Sequence, residues 1–387
     1  MMYDRPSGRA EGRPRMLILS FSPISGDARV LKQVHRFTRD FDVTTLGYGE
    51  TPEGVAKHIS MPAGIRYDDL DGRLITLRMY GAAYWRISAV RWARNALRGL
   101  EFDVIIANDV ESVPVALGLN PHHGVLADLH EYSPRLHDDN EAWARRISPW
   151  FEWLVHRYVT RAQAWTTVSD GIIREYERNF GFRAELVTNA APYHDLTPTS
   201  NSGPIRFVHS GACLRNRHLD VMVEAILTAD ADVTLDLYLT PNDPPYLNEL
   251  CRLAEHSDRI VVHEPVPYTG LIELLNQYDM GIHLLPPVNF NNTWALPNKV
   301  FDFLQARLGM LIGPSPEMAA YADRYGFGAV AAGFSAADAR SAVQAINRET
   351  VDGMKRQAHA HARELAGERQ VEVWERMIMQ LMRGERR

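Results

Sequence analysis

The chain has 387 residues, a formal net charge of −6, 45% hydrophobic residues and 23% charged ones. That length exceeds the roughly 250–300 residues at which single cores stop growing, so two domains are expected, and the acidic balance offers no global basic field to nucleic acid. Its two cysteines, Cys213 and Cys251, are too few for a disulfide framework and lack zinc-ligand spacing, which fits a reducing cytosol; with no run of about 18 apolar residues, membrane contact would have to be peripheral.

Residues 1–14 are polar, lack the apolar centre of a signal peptide and read as a disordered tail. Short apolar, β-rich runs then recur with helical segments between them: MLILSF (16–21), FDVTTLGY (41–48), FDVIIAND (102–109), GVLADLHEY (124–132), AWTTVSD (164–170) and AELVTNA (184–190). Such alternation predicts a parallel sheet with right-handed crossovers, a Rossmann-like domain over 15–193. Within it, SFSPISGDARVLKQVHRF (20–37) joins the first strand to a helix with Val30, Leu31, Val34 and Phe37 on its apolar stripe. Asp27 is a natural N-cap there, and Gly26 lets backbone approach a ligand closely. Residues 73–98 carry six Arg, no acid and the aromatics Tyr80, Tyr84, Trp85 and Trp92, a stretch suited either to an anionic membrane surface or to aromatic packing under a solvated Arg face. IIANDVES (105–112) places Asn108 and Asp109 at a strand end that topology turns toward a cleft.

The polar segment HDLTPTSNSG, within a linker over 194–203, precedes a second series: PIRFVHSG (204–211), VTLDLYLT (233–240), RIVVHEP (259–265), MGIHLLPP (280–287), GMLIGP (309–314) and GAVAAG (328–333). This is a second Rossmann-like domain, over 204–365, followed by a helix over 366–387 expected to pack back on the first. Two doubly wound parallel-sheet α/β domains would face one another across a cleft at the carboxyl ends of their strands.

LPNKVFDFLQARLGM (296–310) reads as a helix beginning at Pro297, the first helical position, where a missing N–H costs nothing. Val300, Phe301, Leu304 and Leu308 share one arc; Lys299 and Asp302 fall opposite. A helix N-terminus with Lys299 suits a phosphate, and Asp302 one turn deeper suits sugar hydroxyls. An exposed i,i+3 ion pair, worth a few tenths of a kcal/mol, accounts for the same spacing.

The segment ALPNKVFDFLQARLGMLI, followed by PSPEMAAYADRYGFGAV, resembles the donor-binding region of retaining glycosyltransferases of the GT-B fold, family four. The resemblance implies that Lys299, with Asn298 beside it, meets the diphosphate of a nucleotide sugar and that Asp302 meets the ribose hydroxyls. RFVHSGACLRNRHLDVMVEAI (206–226) is similar to the same family's strand, Gly turn and helix, which implies diphosphate contact for Gly211 and Arg217, with Arg215 nearby. GVLADLHEYSP is similar to its Asp-x-His-Glu segment; His130 would contact the transferred sugar, and Glu131 would brace the loop or face the acceptor. Two positions depart from the family pattern: Ala212 stands where an Arg is common, and Trp294 where the wider family has the first of two Glu.

The resemblance implies transfer of a sugar from a nucleoside diphosphate sugar to the hydroxyl of a sugar, lipid-linked or small-molecule acceptor, with retained configuration and without a metal cofactor. His130, Arg217 and Lys299 would carry the chemistry; Gly26, Asp27, Asn108, Asp109 and Glu131 would line the cleft. The expected location is the cytoplasm, with 73–98 available for contact at the inner face of the membrane. Two rivals remain open: a sugar-nucleotide epimerase of the same fold, and a non-catalytic nucleotide-sugar-binding protein. A dinucleotide oxidoreductase is disfavoured because no G-x-G-x-x-G follows any strand.

Overall fold

The structure, a computed structural model, describes residues 12–255 and 257–385, so most of the expected tail lies outside the described residues. The first sheet contains β1 (Arg15–Pro23), β2 (Asp42–Tyr48), β3 (Lys57–Met61), β4 (Val104–Asn108), β5 (Gly124–Leu129), β6 (Ala164–Thr167) and β7 (Glu185–Leu186), in the order β3-β2-β1-β4-β5-β6-β7. The second contains β8 (Ile205–Ala212), β9 (Val233–Thr240), β10 (Ile260–His263), β11 (Met280–His283), β12 (Gly309–Ile312) and β13 (Gly328–Val330), in the order β10-β9-β8-β11-β12-β13. Every pairing among them is parallel.

Burial on both faces explains the continuous apolar runs. Along β1, Leu17 and Leu19 enter one core with Ile105 and Ala107, while Met16 and Ile18 enter the other with Val104 and Ile106. Trp374, Met377, Ile378 and Leu381, from the final helix Gly367–Met382, complete that second core. The chain therefore crosses between lobes twice, through 187–204 and again before this helix.

Several expectations need correction. β3, with the sequence KHISM, is an edge strand whose exposed Lys57 and Ser60 hide it from a search for apolar runs. The run 184–190 supplies only two strand residues. Beyond Leu186, the Val187 and Ala190 carbonyls accept from Arg29 Nη1 and Lys32 Nζ instead of a neighbouring strand. Residues 73–98 form three short helices, Gly72–Thr76, Tyr80–Arg86 and Ser88–Ala96, because Arg78 turns left-handed at φ 53° and Ile87 is extended. Their aromatics pack inward, with Tyr84 fully buried and its hydroxyl donating to Glu111 O at 2.7 Å. Among the described residues no helix is long and apolar enough to cross a membrane.

Candidate functional site

The two sheets turn their carboxyl ends toward each other. In the second lobe β8 and β11 are adjacent and mark the point where strand order reverses, the usual place for a ligand crevice. A cavity of about 370 Å³ opens there, lined by His209, Arg217, His283 and Lys299 from that lobe and by His130 and Glu131 from the other. A second cavity of about 450 Å³ continues past His130, Asn189 and Asn298 to the Gly26 loop, Lys32 and Tyr268. One groove thus runs between the lobes, with Asn298 bordering both parts.

The helix Asn298–Gln305 enters this groove by its N-terminus. Pro297 is its extended N-cap (φ −76°, ψ 160°) and not its first helical residue; no side chain caps the helix, so its first N–H groups remain directed at the groove. The expected polar face is also absent, since Val300, Phe301, Asp302, Phe303, Leu304 and Gln305 are all buried. Asp302 is therefore a buried carboxylate. Burial raises it to about 6 against the opposing pull of Lys299, the Tyr268 hydroxyl donating at 3.2 Å, and Lys32. An exposed ion pair does not describe this site.

Lys299 leans across the end of β8. Gly211 has φ 140°, and a methyl group there would lie 2.6 Å from Lys299 Nζ, so glycine at 211 both permits the backbone and makes room for the ammonium. Burial lowers the pKa of Lys299 and of Arg217. Arg217 faces Glu131 from the opposite lobe, and burial followed by Asp109 raises that carboxyl. Arg215 lies elsewhere: it is exposed, stacks over Tyr246 and donates to Glu249 at 2.7 Å, outside the groove.

His130 sits just past β5. Its Nδ1 is 3.6 Å from Asp109 and its Nε2 3.4 Å from Asp128. Burial alone would lower its pKa, but Asp109 and then Asp128 outweigh it and push the imidazole up to about 9. It is an imidazolium at neutral pH. Asp128 itself is fully buried, where desolvation would raise it, yet Arg29 and His130 hold it well below the carboxylate range. Arg29 Nε and Nη2 donate to its two oxygens at 2.8 and 2.6 Å, and Gln33 and Thr166 complete the set at 2.7 and 2.6 Å.

Asn108 was expected in the cleft but is buried behind His130, exchanging hydrogen bonds with Gln33 at 2.9 and 3.0 Å. Asp27 accepts from Arg29 N and Val30 N as the N-cap, while Gly26 has open space before it. Arg29, Lys32, Asp128, His209, Tyr268 and His283 were missed by sequence reasoning. Asp128 was legible as the first member of Asp-x-His-Glu, and Arg29 and Lys32 as i,i+3 cations beside the Asp27 cap.

Lobe-to-lobe contacts close one side of the groove. The short helix Phe290–Thr293 presses Phe290 into the first lobe beside Tyr132, under the Arg135 guanidinium at 4.5 Å. Tyr132 N donates to Asn291 Oδ1 at 2.8 Å, and Gly171 N to Glu317 Oε1 at 2.7 Å. Trp294 packs on Gly171 and under Arg174, so it serves this contact and does not line the cavity. Among the described residues no cluster of three or more His, Cys, Asp or Glu is placed to hold a metal ion.

No known family's sequence profile matches the chain, and no curated protein matches it in sequence. Solved structures do resemble it. Sucrose-phosphate synthase from Thermosynechococcus elongatus has a TM-score of 0.70 at 13% identity, covering 95% of this chain and 99% of its own. HepE from Anabaena, solved with UDP and glucose, has 0.67 at 11%, covering 95% and 100%. A glycosyltransferase from Rickettsia africae has 0.67 at 10%, covering 96% and 99%. The chain has the GT-B fold.

Proposed function

We propose that this GT-B chain is a retaining glycosyltransferase, of the kind grouped in family four, that takes a nucleoside diphosphate sugar as donor. One observation carries the reading: Arg217, Lys299 and the uncapped N-terminus of the helix Asn298–Gln305 converge on a single crevice that His130 and Glu131 close from the other lobe. Cations and N–H dipoles gathered in one crevice suit a pyrophosphate. Asp302, one turn deeper beside Tyr268, suits ribose hydroxyls. The UDP and glucose bound by HepE, a protein of the same fold, support this choice of ligand class.

In the proposed reaction the bond from the sugar's anomeric carbon to the phosphate oxygen breaks, and a bond to the acceptor oxygen forms on the same face. The acceptor proton passes to the departing phosphate, so no protein base is assigned. Arg217, Lys299 and the helix N–H groups stabilise the charge that grows on that phosphate. His130, held as a cation by its two carboxylates, donates to a hydroxyl of the transferred sugar. Activity in a chelating buffer should equal that in its absence, because these groups and no metal bear the charge.

A thermal-shift panel of nucleotide sugars should show a rise in melting temperature for one donor class, since a ligand that binds only the folded state stabilises it. With that donor and an acceptor, Lys299→Ala should lose at least ~100-fold in transfer rate while remaining folded. Near wild-type turnover by this variant would overturn the assignment. Isomerised nucleotide sugar formed without acceptor would instead identify an epimerase, and binding without turnover a non-catalytic protein. We place the chain in the cytoplasm, with peripheral contact at an anionic membrane face through 73–98 and a sugar, lipid-linked or small-molecule acceptor.

A further inference from the structure

β11 ends on a side chain that no step above uses. His283 is 3% exposed, and both of its ring nitrogens are buried without a hydrogen-bond partner among the described residues. Its ring borders the cavity that holds Arg217 and Lys299. Beside it, His209 stacks at 5.6 Å between centroids and 27° between planes, donating Nδ1–H to Ile282 O at 2.8 Å. That bond fixes the His209 tautomer and leaves its Nε2 as an acceptor.

A buried polar group left unpaired is costly, and native proteins retain few of them. His283 carries two such atoms. Burial, then Lys299 and His209, keep its imidazole well below its ordinary pKa, so at neutral pH it is uncharged, with one N–H donor and one lone-pair acceptor. A phosphate oxygen only accepts and would leave that lone pair unmatched. A sugar hydroxyl both donates and accepts, and so matches the neutral ring and the free His209 Nε2 beside it.

We propose that His283, backed by His209, hydrogen-bonds hydroxyl groups of the transferred sugar and thereby distinguishes the complete nucleotide sugar from its parent diphosphate. This rests on the donor-site reading above and adds to it a specificity residue at the floor of the crevice. His283→Leu removes both nitrogens while keeping an apolar body of similar reach, and in the empty protein it relieves two orphaned atoms.

The experiment measures melting temperature and binding by calorimetry for the wild type, His283→Leu and His283→Asn, with UDP-glucose, GDP-mannose and ADP-glucose and with UDP, GDP and ADP. His283→Leu should melt at or above the wild-type temperature without ligand. It should bind the preferred nucleotide sugar about tenfold more weakly, the scale of one lost hydrogen bond, yet bind the parent diphosphate as the wild type does. His283→Asn, which keeps a donor and an acceptor, should recover part of the loss. Equal weakening for sugar nucleotide and diphosphate, or no weakening, would overturn the inference, the latter meaning that water alone satisfies the ring. A wild type that binds none of the six probes would overturn the donor-site reading itself, and this inference with it.

Discussion

At the residue scale the charge state of His130 is set by what flanks it. Its folded value, about 9, lies above the ordinary 6.5, so the stability it supplies is full below pH 6.5 and is lost as pH rises through 9. Asp302 is likewise raised, from 3.8 to about 6, and in the proposed donor site its charged form is the stronger acceptor for ribose hydroxyls. Donor binding should therefore weaken as pH falls through about 6, and transfer should fade as pH rises through about 9, giving a bell-shaped rate profile. Asp302→Asn should flatten the acid limb and His130→Asn the basic limb, each with a slower maximum. A profile from His130→Asn with the wild-type basic limb would show that another group titrates there. The melting-temperature advantage of the wild type over His130→Asn should also shrink between pH 6.5 and 9. Lys299 and His130 were legible because each sits in a recognisable local pattern. Asp302 was legible only as an identity, since its burial arises from Phe301 and Phe303 packing on neighbouring elements. His209 and His283 are 74 positions apart and meet only because β8 and β11 lie side by side, which no local pattern records.

At the element scale the short helix Phe290–Thr293 carries a second-lobe side chain into the core of the first. Phe290 is 7% exposed, and Asn291 exchanges hydrogen bonds with both backbone groups of Tyr132, at 2.8 and 3.2 Å. Phe290→Ala should cost about 3 kcal/mol of lobe docking, as truncation of a buried aromatic does. Because each lobe keeps its own core, the loss should appear as a wider spread of lobe separations in small-angle scattering, with weaker donor binding, and not as global unfolding. Unchanged scattering would show that the connections at 187–204 and at the final helix hold the lobes by themselves. The strands buried on both faces were legible from the sequence pattern: β1 and β4 are short continuous apolar, β-rich runs bounded by helical segments. β3 was not, because an edge strand alternates polar and apolar residues and shares that pattern with many loops. The docking role of Trp294 was hidden for another reason: an aromatic at a position associated with a carboxylate reads as a defect until Gly171 is seen to leave room for it.

At the scale of the whole molecule, charge is unevenly spread. Residues 66–98 hold seven Arg, three Asp and no Lys or Glu, a local +4 in a chain of −6, which leaves −10 for the remainder. Arg73, Arg78 and Arg86 are exposed beside Leu77, 69% exposed, and Met79, 51% exposed, at the break between two of the short helices. Arg146 reaches the same place, its Nη2 donating to Thr76 Oγ1 at 3.4 Å. The aromatics of 73–98 pack inward, so these two apolar side chains, ringed by arginine, are what the stretch presents outward. An anionic lipid surface complements both features: each Arg near it contributes about 1 kcal/mol at physiological salt, and the Leu and Met side chains add apolar burial. The remaining negative charge would turn the rest of the molecule away from the bilayer and orient the first lobe toward it. Vesicles containing phosphatidylserine should therefore co-sediment the protein and release it in about 0.5 M salt, where the Debye length falls to a few ångströms. Vesicles of phosphatidylcholine alone should not retain it. The double variant Leu77→Ser, Met79→Ser should bind the anionic vesicles about tenfold more weakly while turning over a soluble acceptor at the wild-type rate, because neither residue lines the groove. Equal sedimentation with both vesicle types, or with neither, would rule out this surface as the anchor and return the arginines to the role of a solvated face.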